Sequence, residues 1–215
     1  GYSKGQAIDG SHGTSMVLGA EGDTKEIGPY LYFELGNTTP DVVFSCDVYL
    51  PDTNATITSW VRNLDNANCL NLFVFKKGGE IEFWGDGGVA KTAKFLPETW
   101  YHAETRLYGA DKTYDCTITT QNPDGSSSVV ATVTGRAAQG YKNVSVFNVM
   151  RLSVTTDGGV GSYAVFDNLR CIAETPLPYF TTEPDVSYQG GEIFLPLSGP
   201  LAAQDLSGLV TLRDE

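Results

Sequence analysis

Residues 41–50 read DVVFSCDVYL, and the alternation within this run decides the fold class. Successive side chains of a strand point to opposite faces, so Phe44, Cys46, Val48 and Leu50 share one face while Ser45, Asp47 and Tyr49 share the other. This is a strand with one face in a core and one face turned away from it. Outward from this run, similar segments recur: TSMVLGA (14–20), PYLYFEL (29–35), ATITSWVRN (55–63), CLNLFVFKK (69–77), EIEFWG (80–85), AKFL (93–96), TWYHAETRLYG (99–109), TYDCTITTQ (113–121), SSVVATVTG (127–135), SVFNVMRLSV (145–154) and SYAVFDNLRCI (162–172). Gly, Pro, Asn or Asp clusters bound them, and no stretch of a dozen residues keeps a helical period. Lys76-Lys77-Gly78-Gly79, Gly109-Ala110-Asp111-Lys112 and Asp124-Gly125 read as hairpin turns, in which glycine supplies positive φ.

Burying one face of each strand at roughly 25 cal/mol per Å² of apolar area has to offset about 1–2 kcal/mol of backbone entropy per residue. One sheet cannot do so alone, and two packed antiparallel sheets are expected, an all-β sandwich. The 215 residues suffice for one large sandwich, or for a mid-sized one and part of a second domain. The composition changes at ETPLPYFTTEPD (174–185), with three prolines in a dozen residues and no alternation. The expected organisation is therefore a sandwich over 1–175, a Pro-rich linker over 176–186, and a segment over 187–215. That last segment has two strand-like runs, GEIFLPLS (191–198) and GLVTLRD (208–214), too few for an independent core. It is either a docked tail or part of a further domain.

With 26 acidic and 14 basic residues the net charge is -12, which disfavours nucleic acid and anionic membrane surfaces as partners. The longest apolar runs, such as VVF and NLFVF, are too short to insert across a bilayer, and GYSKGQAIDG lacks a signal-peptide pattern, so any leader is expected to have been removed. Abundant Tyr, Thr, Asn, Ser and Gly point to a secreted, extracellular or cell-surface β protein. Cys46, Cys69, Cys116 and Cys171 form no CxxC pair, which argues against a zinc cluster. Two disulfides and four buried thiols both fit; at least three of the four sit inside strand-like runs, so buried thiols are the expectation.

The order GQAIDG, VVFSCDVYL, FLPETWYHAETRLYGADKTYDCTIT and YAVFDNLRC resembles that of bacterial laminin G-like domains of the concanavalin A-like lectin and glucanase superfamily. The likeness covers about residues 1–175. It implies a jelly-roll sandwich, usually a carbohydrate-binding or adhesive module covalently linked to further domains of a larger extracellular protein. It also implies a packing role for Trp100. The tail resembles the first strands of a bacterial immunoglobulin-like module.

Sugar rings present apolar faces that stack on aromatic side chains, while their hydroxyls pair with Arg, Asp, Asn or Glu. Trp60 with Arg62 on one strand and Glu82 with Trp84 on another are the candidate ligand-binding set, one platform if their strands are neighbours. The competing reading, in which one tryptophan plugs the core and the other lies under a loop, stays open. Glu80 and Glu82 share a strand face about 7 Å apart, near the spacing of a retaining glycosidase pair. The glucanases of the resembling superfamily, however, carry ExDxxE, and here Gly85 stands at the third acidic position with Asp86 one residue late. An alternating, solvated hairpin strand is the expectation there, and no catalytic residue is assigned. Of the two histidines, His12 and His102, the second shares a face with Glu104 and Arg106 and is expected to be satisfied by them. The resemblance suggests that Asp167, in YAVFDNLRC, helps hold a structural Ca²⁺, with Asp9, Asp47 or backbone carbonyls as co-ligands. Three N-x-S/T sequons begin at Asn37, Asn54 and Asn143 and carry no weight in a bacterial chain.

Overall fold

The computed structural model describes residues 2–4, 15–19, 30–35, 41–62, 69–122, 124–139, 149–156, 163–174, 187–189 and 192–194. In chain order the strands are β1 (Tyr2–Lys4), β2 (Met16–Gly19), β3 (Tyr30–Glu34), β4 (Asp41–Leu50), β5 (Ala55–Arg62), β6 (Cys69–Lys76), β7 (Glu80–Gly85), β8 (Gly88–Lys94), β9 (Thr99–Tyr108), β10 (Thr113–Gln121), β11 (Ser127–Ala137), β12 (Val149–Thr156), β13 (Tyr163–Glu174), β14 (Ser187–Gln189) and β15 (Glu192–Phe194). Among the described residues there is no helix. Two antiparallel sheets result, one of seven strands in the order β1-β2-β13-β4-β9-β10-β11 and one of six in the order β3-β12-β5-β6-β7-β8. This is the all-β double layer expected from the alternation, consistent with a jelly-roll sandwich.

The inward faces build one core. Phe44, Cys46, Val48 and Leu50 of β4 meet Ile57, Phe73, Phe75, Ile81 and Phe83 of the six-stranded sheet, all at most 1% exposed. Each such side chain contributes roughly 1.5–3 kcal/mol by leaving water. Tyr114 of β10 crosses from one layer to the other, and its hydroxyl is shared between the carbonyl oxygens of Leu72 (2.9 Å) and Trp84 (2.7 Å). Both carbonyls lie beyond the end of the β6–β7 ladder, whose register stops at Phe73 opposite Phe83, and β6 also carries a bulge there: its residues Asn71 to Val74 face Trp60 to Thr58 of β5, one residue too many, and Leu72 and Phe73 both enter the core.

The three hairpin turns lie where expected, with Gly78 (φ 93°), Gly79 (φ 86°) and Gly125 (φ 80°) in the left-handed region; between β9 and β10 the positive φ falls on Lys112 (φ 53°) rather than on glycine. A fourth hairpin departs from the sequence reading. The expected strand AKFL is replaced by β8, which begins at Gly88 directly after the two-residue Asp86-Gly87 loop, with Gly85 opposite Gly88. Phe95 is buried beyond its end. The Asp-Gly signal that makes this turn lies inside the stretch whose spacing imitates an acidic motif.

By its internal contacts the chain divides into Gly1–Ala173, which holds the sandwich, and Glu174–Glu215, in which β14 and β15 pair as an antiparallel hairpin. The run GLVTLRD lies outside the described residues.

Candidate functional site

On β5 burial alternates strictly: Ala55, Ile57, Ser59 and Val61 point inward, while Thr56, Thr58, Trp60 and Arg62 line the outer face. Trp60 is opposite Arg151 of β12, whose guanidinium carbon stands 4.7 Å from the indole centroid, a cation–π stack. Arg151 is only 6% exposed, so it fixes the ring from one side. The sequence reading missed Arg151. Its alternation with Met150, Leu152 and Val154 does place it on an outer face, but no local signal could pair it with Trp60.

Arg62 stands two residues from Trp60, opposite Val149 on β12 and Cys69 on β6. Among the described residues its side chain has no hydrogen-bond or ion-pair partner, and its Nε, like the Trp60 Nε1, is buried without an acceptor.

Glu82 and Trp84 share the outer face of β7, as expected, but β6 separates them from β5, so the four residues lie on one face and not on neighbouring strands. Two strand spacings put the tryptophan-bearing strands about 10 Å apart. Glu82 is 2% exposed, and both its oxygens are engaged: Oε1 accepts from Lys76 Nζ at 2.9 Å and Oε2 from Trp84 Nε1 at 3.2 Å. Its carboxylate orients the partly exposed Trp84 ring. Between the two tryptophans, Asn71 of β6 donates from Nδ2 to Gln139 Oε1 at 2.8 Å.

The seven-stranded sheet carries a second polar cluster on its outer face. Asp47 of β4 is opposite His102 of β9, and Asp47 Oδ1 lies 2.6 Å from His102 Nδ1. Its Oδ2 accepts from Asn168 Nδ2 of β13 at 2.6 Å. Burial resists ionisation of Asp47 but is outweighed by hydrogen bonds from His102, Asn168 and Gln121, which hold its carboxyl below the ordinary value. The same Asp47 bond holds His102 above its ordinary value, against the cost of burial and with help from the charges of Asp47 and Glu104. His102, Glu104 and Arg106 do share the outer face of β9, and Glu104 adds charge beside His102, but the hydrogen bond that satisfies His102 crosses the strands to Asp47, which corrects the expected partner; Arg106 lies over the Tyr108 ring at 5.8 Å.

Asp167 sits two strands from His102, at an irregularity where Asn168 takes φ 48°. Asp167 Oδ1 accepts from the Asn168 amide at 2.7 Å and Oδ2 from Ser15 Oγ at 3.4 Å. Calcium requires about six to eight oxygens. Of the residues named for it, Asp47 is committed to His102 and to two side-chain amides, and among the described residues no three His, Cys, Asp or Glu side chains converge. Asp9 lies outside them. Trp100 is 6% exposed with its ring 5.4 Å from that of Tyr49. Among the described residues no helix is long and apolar enough to cross a membrane.

No family model matches the chain, and no curated protein matches it by sequence. Among solved structures, a sialidase aligns with a TM-score of 0.52 at 12% identity over 74% of this chain and 15% of its own. Lectin I-B4 from Griffonia simplicifolia, in a metal-free form, aligns at 0.45 with 9% identity over 74% of this chain and 88% of its own. The catalytic domain of a glycoside hydrolase family 131 protein from Coprinopsis cinerea aligns at 0.43 with 15% identity over 76% and 71%. The chain therefore spans about 15% of the sialidase's length, and at such identities the likeness to the sialidase is one of fold.

Proposed function

We propose that this chain is a non-catalytic carbohydrate-binding module of a secreted, multi-modular protein, with residues 176–186 as a linker to a neighbouring module. The observation that carries this reading is the outer face of the six-stranded sheet. Two partly exposed tryptophans stand on it, each with its ring held by a neighbour: Trp60 by the Arg151 stack and Trp84 by the Glu82 hydrogen bond. Aromatic rings held in advance cost little further ordering when a sugar stacks on them, and polar side chains such as Arg62 stand beside them for the hydroxyls. A Glu80/Glu82 acid–nucleophile pair receives no support from this arrangement, because a nucleophile needs access and Glu82 has both oxygens engaged. A protein-binding or spacer module would favour a contiguous apolar patch. Among the described residues the large exposed apolar residues, Val89, Leu96, Val129, Tyr163 and Ile172, fall on several different strands and connections instead.

Affinity electrophoresis in polysaccharide gels tests the proposal. The wild-type chain is expected to be retarded by at least one polysaccharide, and Trp60→Ala or Trp84→Ala to reduce that retardation at least several-fold while the unfolding midpoint changes little. Retardation unaffected by both substitutions, or none with any polysaccharide, would overturn it.

A further inference from the structure

We infer that the sugar taken by this face is anionic, a pyranose bearing a carboxylate or sulfate group, with Arg62 as the residue that meets the anion. The inference rests on the carbohydrate-binding reading and names its ligand class. Three observations carry it.

The first is an unmet demand for acceptors. Arg62 Nε and Trp60 Nε1 are buried donors without an acceptor, and they stand on the same face of one strand, about 7 Å apart by strand rise. Buried donors are rarely left unpaired; the Arg62 side chain as a whole is only half-buried, so its guanidinium stays within reach of a ligand oxygen. Of these donors the guanidinium is the one whose planar fork matches the two oxygens of a carboxylate or sulfate.

The second is the distribution of charge. The chain has 26 acidic residues, yet β5, β6 and β12, the three adjacent strands around Trp60, carry none, while they carry Arg62, Lys76 and Arg151. Lys76 is neutralised by Glu82. Among the described residues the nearest acidic position by register is Glu34 on β3, opposite Val149 and so two strands from Arg62, about 10 Å away; Asp65, three residues on in the chain, lies outside the described residues. The net charge of -12 does not override this local excess, since at physiological ionic strength interactions between exposed charges fade beyond about 8 Å.

The third is the neighbouring ring. An isolated guanidinium would serve any small anion, but Arg62 lies beside Trp60 and on the same sheet face as Trp84, two strand spacings away, a span that a short oligosaccharide covers. Stacking surfaces flanking a cation suit a charged sugar better than a free ion.

The test compares full-length chain and variants on gels of polygalacturonate, dextran sulfate and neutral dextran. Retardation by one or both acidic polymers, at least tenfold stronger than by dextran and reduced at least tenfold in Arg62→Gln, is expected. Arg62→Lys, which keeps the charge but not the fork, should fall between. Loss on carboxyl-reduced polygalacturonate would assign the carboxylate, and retention on dextran sulfate alone would assign the sulfate. Because Arg62→Gln could disturb folding, each variant is also melted with and without oligogalacturonate or sulfated oligosaccharide. A ligand-induced rise in Tm in the wild type that is absent from a cooperatively folding Arg62→Gln supports the inference. Equal retardation on neutral and acidic gels would overturn the inference and leave the carbohydrate-binding reading standing. Acidic-gel retardation unchanged in Arg62→Gln would also overturn it, as ionic adsorption elsewhere. No retardation on any of these three gels would overturn the inference, while the carbohydrate-binding reading falls only if the wider series of polysaccharides gives none either.

Discussion

Gly85 closes β7 with its back to Arg136. A Cβ placed there would lie 2.4 Å from Arg136 Nε and 2.8 Å from the carbonyl oxygen of Ala137, and that backbone cannot give way easily because Asp86 N donates to the same oxygen at 3.0 Å. Arg136 is tethered too, donating from its guanidinium to Gly88 O at 2.5 Å. Gly85→Ala is therefore expected to cost about 1–3 kcal/mol through overpacking, read as a fall of several degrees in Tm with unchanged far-ultraviolet circular dichroism. A Tm within one degree of wild type would contradict the rigidity assigned to this corner. In the sequence Gly85 registers only as a missing acidic residue, because the crowding that requires glycine is created by β11, about fifty residues on. Glu82 behaves in the same way: alternation places it on the outer face, and only Lys76 and Trp84 converging on it turn that exposed position into a buried one.

Among the elements, the Asp47–His102 pair ties β4 to β9, Asn168 adds β13 and Gln121 adds β10, so four adjacent strands meet at one carboxylate. The two shifts set the sign of its pH dependence. His102 is raised above 6.5, so its stabilisation is full below that pH and is lost as pH rises through its folded-state value. Asp47 is lowered below 3.8, so its stabilisation is full above that pH and is lost as pH falls through its folded-state value. Thermal melts should thus show greatest stability from this pair between pH 3.8 and 6.5. His102→Gln should flatten the decline on the alkaline side; an identical decline in the variant would place its origin elsewhere. The elements themselves are largely legible in the sequence. Period-two alternation marks β4, β5, β9 and β10 almost to their ends, and Gly-containing turns mark the hairpins. Partnership between distant segments is not legible: β13 pairs β2, and β12 pairs both β3 and β5, and no local pattern encodes such crossovers. The condition set for one platform, that the Trp60 and Trp84 strands be neighbours, could not be read from the sequence for this reason, and it misses by one strand.

At the scale of the whole molecule, the two layers share one interior, and the thiols report on whether it opens as a unit. Cys46 of β4 and Cys116 of β10 are each 1% exposed and free, and Thr105 Oγ1 donates to Cys116 Sγ at 3.2 Å. Burial, with the Asp47 charge second, pushes the Cys46 thiol far above its ordinary range, and burial pushes Cys116 up to about 12. Cys171, partly exposed on β13, is pushed by burial to about 11. A thiol reagent attacks only a thiolate it can reach, so Cys46 and Cys116 are protected twice, by access and by protonation. Both should stay unmodified in native buffer at neutral pH, with Cys171 the least protected of the three. If the sandwich unfolds cooperatively, labelling of Cys46 and Cys116 through a urea series should coincide with the loss of far-ultraviolet circular dichroism, because reaching either thiol requires separating the layers that cover it. Mass spectrometry of the labelled peptides separates the sites. Modification of Cys116 at urea concentrations that leave Cys46 protected would mean that the β9–β10–β11 edge opens on its own, and the shared core would then have to be divided into two units of different stability.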